Sequence, residues 1–463
     1  MKQIVVVIFI LFNVISVVSS QERYNAIYSG IPWFDDKNNI VGAHGANIIK
    51  DKGKYYLFGE RHTDTSNAFA GFTCYSSTDL YNWKFESIAL PVQPSGKLGA
   101  SRVGERPKVM KCPATGEYVL YMHVDTLTYM DQYIGYATSK EITGPYTFHG
   151  PLLFHGRPIY KWDMGTFQDK DGSGYLLIHG GNIFKLNEDY KSVGEQILRE
   201  MAPGFESPAI FKKGNTYYFL GSNLTSWERN DNYYFTAGSL KGPWTPRGPF
   251  CPEGTLTWNS QTTFVLPVEG SKDTTYMFMG DRWSFPKQAS AATYVWQPLV
   301  ISGTSLSIPK YMDAWQINTA TGESISTSIA KKTIENSNRQ LITYAGKWQP
   351  DSLSLMSSDE KGASFRIKFT GTQIGFYGLA RTNGGYAHVH LQTDEGKTIL
   401  SSIVDMYSKS PTKTLKFLTP NVKKGNYTLE VTVMAERGNW SDKRKNIYGS
   451  TGNFVSLDKI VIN

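Results

Sequence analysis

The sequence predicts an all-β protein made of a five-bladed β-propeller followed by a C-terminal β-sandwich of the jelly-roll kind. The 463 residues include 11 Trp, 28 Tyr and 24 Phe, which strands favour, and 43 Gly and 21 Pro, which are typical of tight turns. A strand-like segment also recurs five times in the first two thirds. This composition excludes disorder, coiled coil and collagen.

The N-terminal segment has the pattern of a signal peptide. Lys2 precedes a nearly unbroken apolar run over residues 4–18, and Ser19 and Ser20 supply small residues for cleavage before Gln21. No later apolar stretch is long enough to span a bilayer. We therefore expect residues 1–20 to be removed and the protein to be exported, either to a periplasm or into the medium.

Charge and cysteine content exclude some functions and leave others open. The formal net charge of +8 is spread along the chain without a basic run, which argues against nucleic acid as a partner. Three cysteines allow at most one disulfide, and a chain of this size does not need one.

The recurring segment is an aromatic or β-branched strand that usually follows a charged turn containing Gly. Such a turn between two apolar runs indicates a β-hairpin. Strand-only repeats separated by roughly 40 to 60 residues indicate propeller blades. The five copies are 55–59, 118–122, 174–178, 217–221 and 276–280.

One strand earlier, each repeat has a segment that starts with a polar residue and then turns apolar. The innermost strand of each propeller blade lines the central channel, so these polar residues should form a ring at one mouth of that channel. The ring consists of His44, Glu105, Asp163, Glu206 and Gln261.

This ring suggests glycoside hydrolysis. Carboxylates crowded in a concave aromatic site repel one another, so the pKa of at least one should rise. Glycosidases need one protonated carboxyl group for the leaving oxygen and further groups that handle water. The alternative is that such residues only bind water and cap strand ends, as in any propeller.

The motifs resemble glycoside hydrolase family 43, a family of inverting five-bladed propellers, over roughly residues 30 to 310. Glu206-Ser207-Pro208 is similar to its general-acid motif, and Asp163 with Phe167 is similar to the segment that tunes that acid. The family usually supplies a general-base Asp in the first blade, and residues 43–49 contain none.

The exo-β-1,3-galactanase branch of the family is similar in lacking this Asp. Four motifs of that branch occur here in chain order: Ala43-His44-Gly45, Tyr55-Tyr56-Leu57-Phe58-Gly59-Glu60, Glu105-Arg106-Pro107-Lys108 and Ser260-Gln261-Thr262-Thr263-Phe264-Val265. Neighbouring branches that share the missing base are thought to act on arabinofuranosides or galactofuranosides.

The resemblance implies roles for individual residues. Glu206 is the general acid and Asp163 its modulator, while Gln261 occupies the position of the base, where it positions water or acts through its imidic tautomer. Glu105 binds a sugar hydroxyl or assists the water, or else only pairs with a neighbouring arginine. We expect Glu60 and Arg106 to bind substrate, and His44 either to bind substrate or to pack as a core histidine. Trp162, Trp227 and Trp283 are candidate sugar platforms, with burial in the core as the alternative.

These expectations give an exo-acting inverting hydrolase that releases galactose from β-1,3-galactan, the backbone of plant-type arabinogalactan. The alternatives are an α-L-arabinofuranosidase or β-galactofuranosidase, and a catalytically inactive glycan-binding propeller. We expect no required cofactor, no metal site, no membrane span and a monomer.

The amino-acid composition changes in the last third of the chain. We predict the propeller over residues 21–320, a polar connector over 321–340 and a β-sandwich over 341–463, because short strands with period-two alternation return there. The sandwich resembles modules appended to sugar-cleaving enzymes. A structural cap on the propeller and a separate sugar site remain equally open.

Overall fold

The computed structural model describes residues 23–227, 229–441 and 445–463, so the predicted signal peptide lies outside the described residues. The all-β prediction is confirmed. The helical elements assigned in the described ranges are three single turns: Gly96–Leu98, Leu256–Asn259 and Gln288–Ala291. None of the helices in this part of the chain has the length and apolarity to cross a membrane.

Five sheets follow one another between residues 44 and 298. The main strands of each sheet are antiparallel and lie in chain order, and the predicted repeat forms the second of them. The first sheet consists of His44–Asp51, Lys54–Glu60, Phe72–Ser77 and Lys84–Leu90, and the second of Arg102–Lys111, Tyr118–Thr126, Tyr133–Ser139 and Thr147–Pro151.

The remaining three sheets repeat this arrangement with variations. The third sheet adds two short strands, Leu153–Phe154 and Arg157–Pro158, beside its last strand, and the fifth has only three strands assigned among the described residues. The main strands of the third sheet are Met164–Gln168, Gly174–Ile178, Asn182–Leu186 and Val193–Leu198. The fourth sheet consists of Phe205–Lys213, Thr216–Asn223, Asn232–Ala237 and Thr245–Pro249. The fifth consists of Gln261–Glu269, Thr274–Arg282 and Thr293–Pro298.

The first strands of the five sheets contact one another in cyclic order. Each contacts the first strand of the next sheet, and the first strand of the fifth sheet contacts that of the first. Apolar side chains fill the space between neighbouring sheets, and Cys74, Cys112 and Cys251 are buried there as free thiols. The start of every first strand therefore faces a common centre.

A small three-stranded sheet joins the start of the described chain to the region that follows the fifth sheet. Ile27–Tyr28 pairs with Ala314–Ile317, which in turn pairs with Ser324–Ser326. A small hairpin of Val300–Ser302 and Ser305–Ser307 lies before them.

The C-terminal region contains two larger sheets that share one apolar core, in which Phe365 of one sheet and Phe376 of the other lie with ring centroids 5.6 Å apart. Along Ser364–Gly371 and Gly425–Val433 buried side chains alternate with more exposed ones, as predicted. In spatial order one sheet consists of Lys332–Glu335, Lys459–Ile462, Ile374–Ala380 and Thr412–Leu418, and the other of Ile342–Ala345, Ser364–Gly371, Gly425–Val433, Tyr386–Thr393 and Thr398–Asp405.

Two smaller sheets complete this region. Met356–Ser358 pairs with Gln349–Pro350 and Val455–Leu457, and Asn439–Ser441 pairs with Ile447–Gly449. The segment expected to be a connector contains the strand Lys332–Glu335, which pairs with the last strand of the chain.

Candidate active site

A cavity of about 1150 Å³ opens where the first strands of the five sheets begin. All ten predicted site residues belong to the described parts of the chain, and the structure brings nine of them to its lining. These nine are Glu60, Glu105, Arg106, Trp162, Asp163, Glu206, Trp227, Gln261 and Trp283.

His44 lies beside the cavity and does not line it. Its ring is stacked on Tyr294 at 4.4 Å between centroids, and its Nδ1 lies 3.2 Å from Asp281 Oδ1. The side chain is buried, with 2% of its surface exposed. In this position His44 supports Trp283, whose ring lies 5.5 Å away, instead of facing the cavity.

Bulges near the starts of the first strands aim the polar residues inward. Strand register shifts directly after His44, Glu105 and Glu206, and after Thr262 beside Gln261. The residues after Glu105 and Glu206 have positive φ, 56° at Arg106 and 54° at Ser207. Since a bulge bends its strand and redirects the adjacent side chain, this backbone explains why residues of different strands converge.

Glu206 has the environment of a general acid. Burial is the main cause that raises the pKa of its carboxyl group to about 8, and the negative charge of Asp163 adds to it. The Nε2 of Gln261 donates a hydrogen bond of 2.8 Å to Glu206 Oε1. At neutral pH Glu206 therefore holds a proton that it can give to a leaving oxygen.

Asp163 is the charged neighbour of this acid. Burial alone would raise the pKa of Asp163, but the charge of Arg106 and a hydrogen bond from Ser207 hold it below its usual value. Arg106 Nη2 lies 3.3 Å from Asp163 Oδ2, and Ser207 Oγ donates to the same oxygen at 2.7 Å. The pair of carboxyl groups thus carries one proton, on Glu206.

The surroundings of Gln261 fix the orientation of its amide. Its Oε1 accepts hydrogen bonds from Trp283 Nε1, at 2.9 Å, and from Arg106 Nη2. Both partners can only donate, so the atom that faces them must be the amide oxygen. Both lone pairs of that oxygen are occupied, and the amide nitrogen faces Glu206.

Glu105 is a further acidic residue that lines the cavity. Tyr129 donates its hydroxyl to Glu105 Oε1 at 2.7 Å, and His123 Nδ1 lies 3.0 Å from Oε2. His123 also lies 3.2 Å from Asp125, and although burial lowers its pKa, hydrogen bonds to the two carboxylates raise it to about 9. A protonated His123 therefore orients Glu105.

Two buried basic residues, Arg106 and Lys108, lie near these acids. The backbone N–H of Arg106 donates to Glu60 Oε1 at 2.8 Å, and its guanidinium Nη1 donates to Thr262 O at 3.1 Å. Lys108 is fully buried and donates to Gly45 O, and burial is the main cause that lowers its pKa to about 7. Arg106 itself lines the cavity beside Asp163 and Glu206.

A second set of polar residues comes from the later part of the second strands, where Glu60, His123 and Asp281 pair in register with His44, Glu105 and Gln261. The sequence analysis named Glu60 but missed His123 and Asp281. His179 N donates to Asp163 O and extends the pattern to the third sheet. Counting the hairpin register outward from each turn would have found this second ring.

Glu105, His123 and Asp163 are the described residues whose potential ligand atoms could hold a metal ion, since these atoms lie within 4.8 Å of one another. The contacts already made do not favour one. His123 faces two carboxylates as a proton carrier, and Asp163 is paired with Arg106. We therefore derive no step through a metal.

Two solved structures are similar to this chain. The exo-β-1,3-galactanase of Phanerochaete chrysosporium, solved with β-1,3-galactotriose, is 26% identical, with a TM-score of 0.69 over 95% of this chain and 100% of that one. A proposed exo-β-1,3-galactanase of Bifidobacterium bifidum s17 is 37% identical, with a TM-score of 0.57 over 60% of this chain and 95% of that one.

A curated relative has a different activity. The arabinoxylan arabinofuranohydrolase of Bacillus subtilis (strain 168) is 24% identical over 303 residues, which are 54% of this chain and 58% of that protein. The chain thus matches little more than half the length of this relative. The sequence profile of glycosyl hydrolases family 43 matches residues 40–278, about half of the chain. The chain therefore belongs to glycosyl hydrolases family 43.

Proposed function

We propose that the protein is an exo-acting, inverting glycoside hydrolase that releases galactose from the non-reducing end of β-1,3-galactan. The observation that carries the proposal is the raised pKa of Glu206 beside the ionised Asp163, both of which line the cavity. The galactanase named above supports the substrate, because it matches this chain over nearly its full length.

We also propose that the five sheets are the blades of a propeller and that the two C-terminal sheets form a sandwich. The cyclic contacts of the first strands support the first assignment, and the shared core around Phe365 and Phe376 supports the second. With the predicted signal peptide, the enzyme would act outside the cytoplasm on arabinogalactan-type polysaccharide.

In the proposed reaction, the bond between the anomeric carbon and the glycosidic oxygen breaks as Glu206 transfers its proton to that oxygen. A water molecule attacks the anomeric carbon from the opposite face and loses a proton to a base. Glu206 leaves this step ionised and regains a proton from solvent. No residue becomes covalently bound to sugar, and the configuration inverts.

Glu105 is the base in this proposal. Both lone pairs of the Gln261 oxygen are occupied by donors, which leaves no acceptor for a proton from water. Each oxygen of Glu105 accepts one hydrogen bond and keeps further acceptor capacity. Gln261 then holds Glu206 in place, and Glu105 receives the proton.

The experiment is incubation of the protein with β-1,3-linked galacto-oligosaccharides, with the product followed by proton NMR. We expect galactose to appear first as the α-anomer, because a β-linkage is inverted. Galactose appearing first as the β-anomer would contradict the mechanism.

An arabinofuranosidase is the second candidate, favoured by the relative from Bacillus subtilis. The same assay with arabinofuranosyl substrates distinguishes the two candidates. Activity on these substrates alone would identify an arabinofuranosidase. Binding of galactan without turnover would indicate an inactive glycan-binding protein.

A further inference from the structure

The mouth of the cavity is bordered by a hairpin from the C-terminal region. Strands Asn439–Ser441 and Ile447–Gly449 pair with Trp440 opposite Tyr448, so these two side chains share one face of the hairpin. Their rings are nearly parallel, at 11° and 6.3 Å between centroids, and both line the cavity.

Trp227 meets this hairpin from the fourth sheet. It follows the strand Thr216–Asn223, and its ring centroid lies 5.1 Å from that of Trp440. Trp227, Trp440 and Tyr448 together are called the aromatic rim. All three are half-buried, so each retains exposed ring surface at the entrance of the cavity. The polar and charged residues at its centre are called the floor: Glu105, Arg106, Asp163, Glu206 and Gln261.

The aromatic rim is tied to the loop that follows Trp283. The Tyr386 hydroxyl donates to the carbonyl oxygens of Ser284 and Phe285, both at 3.3 Å. Lys287 forms an ion pair of 3.0 Å with Glu436, three residues before the hairpin strand. Phe285 lies 6.1 Å from Trp227 between ring centroids, and Trp283 donates to Gln261, so this one loop contacts both the rim and the catalytic residues.

The direction of the substrate follows from the proposed exo-action and from the residues that line the cavity. The terminal sugar lies at Glu206, and the rest of the glycan extends towards Trp440 and Tyr448, which line the same cavity. The volume of about 1150 Å³ is above the usual range of about 300–1,000 Å³ for a site that holds one small ligand. The cavity therefore has room for sugar units beyond the one that is cleaved off.

We propose that the aromatic rim binds the leaving-group side of the substrate: the β-linked hexopyranose units next to the scissile bond, stacked through their C–H faces. Aromatic rings offer a large apolar surface, and hexopyranoses present apolar C–H faces to such surfaces. This inference rests on the proposed function. It makes the C-terminal region part of the substrate site, in place of a cap or a separate sugar site.

The test compares two substrates on Trp440→Ala and Tyr448→Ala. β-1,3-Galactotriose reaches the rim, whereas β-galactosyl fluoride has a leaving group of one atom and does not. We expect kcat/KM for galactotriose to fall about tenfold, equivalent to about 1.4 kcal/mol, and kcat/KM for the fluoride to change less than about twofold. Trp440→Phe, which keeps an aromatic ring, should restore most of the lost activity.

The matched control is Ile447→Ala. Ile447 adjoins Tyr448 on the same strand, points to the opposite face and is 84% exposed, so both rates should stay at the wild-type level. Equal losses on both substrates in the Trp440 and Tyr448 variants would mean that the rim merely supports the floor. Wild-type rates in both variants would mean that it does not contact substrate. Either result would overturn the inference.

Binding measurements separate this inference from the proposed function. Calorimetric titration of Glu206→Gln with galactotriose should give saturable binding that weakens when Trp440→Ala is added. If the wild-type protein hydrolyses neither substrate but this weakening is found, the proposed function is wrong and sugar binding by the rim is supported. If galactotriose does not bind at all, both the proposed function and the role of the rim are contradicted.

Discussion

The floor and the rim of the cavity are built on different principles. The floor takes one polar residue from the start of each of several repeated strands, together with partners from the adjacent strand ends. The rim takes aromatic residues from a loop after the fourth sheet and from a hairpin far along the chain. The comparison suggests that the repeat fixes the chemistry, while irregular segments determine which substrate is held against it.

The largest effect should come from Glu206→Gln, which removes the proton that the floor supplies. We expect kcat on galactotriose to fall by about 10²–10⁴-fold, the usual contribution of a general acid. β-Galactosyl fluoride, whose leaving group needs little protonation, should lose far less. An equal loss on both substrates would argue that Glu206 does not act as the acid.

Asp163→Asn should have the next largest effect and should change the pH profile. The negative charge of Asp163 raises the pKa of Glu206, so its removal lowers that pKa from about 8. Activity requires protonated Glu206, and the alkaline limb of the kcat/KM profile should therefore move to lower pH. A profile that keeps its position would contradict the coupling between these two groups.

Gln261→Ala should shift the same limb in the opposite direction. The hydrogen bond from Gln261 lowers the pKa of Glu206, so its loss moves the limb to higher pH. The rate should fall about tenfold to a hundredfold on every substrate, because a hydrogen bond to a carboxyl group is lost and Arg106 loses an acceptor. Wild-type activity would show that Gln261 has no role in positioning the acid.

The smallest effect should come from Gly438→Ala, which disturbs the contact between the rim hairpin and the loop after Trp283. A Cβ at this position would lie 2.8 Å from Phe285 O, so the hairpin must shift. We expect a loss of stability of about 1–3 kcal/mol and a selective fall in galactotriose hydrolysis. Thermal melting and the two-substrate assay measure these effects. Gly238→Ala, where a Cβ meets open space, is the matched control.

Much of the floor could be predicted because its signal is periodic. The polar residue that starts each first strand and the aromatic strand that follows recur in one order, so spacing alone brought Glu105, Asp163, Glu206 and Gln261 together. The second ring was missed because His123 and Asp281 come late in long apolar strands. The sequence does not show which residue of the preceding strand pairs with each of them.

The rim could not be predicted in the same way. Asn439–Ser441 and Ile447–Gly449 have three residues each, too few for an alternating pattern to be recognised. Trp440 was one of many aromatic residues, and its place beside Trp227 depends on contacts between distant segments. Thr398–Asp405 and Thr412–Leu418 were also missed, since polar residues interrupt their apolar positions.

The contact between the two regions of the chain also affects how the protein can be divided for engineering. Phe34 and Phe417 lie edge to face at 6.2 Å in one continuous apolar core, and Asn421 N donates to Arg23 O at 2.6 Å. A fragment that ends near residue 320 would expose that core and lose one wall of the cavity. Exchanging the C-terminal region for that of another enzyme would therefore change substrate preference and solubility together, so the two regions cannot be exchanged as independent modules.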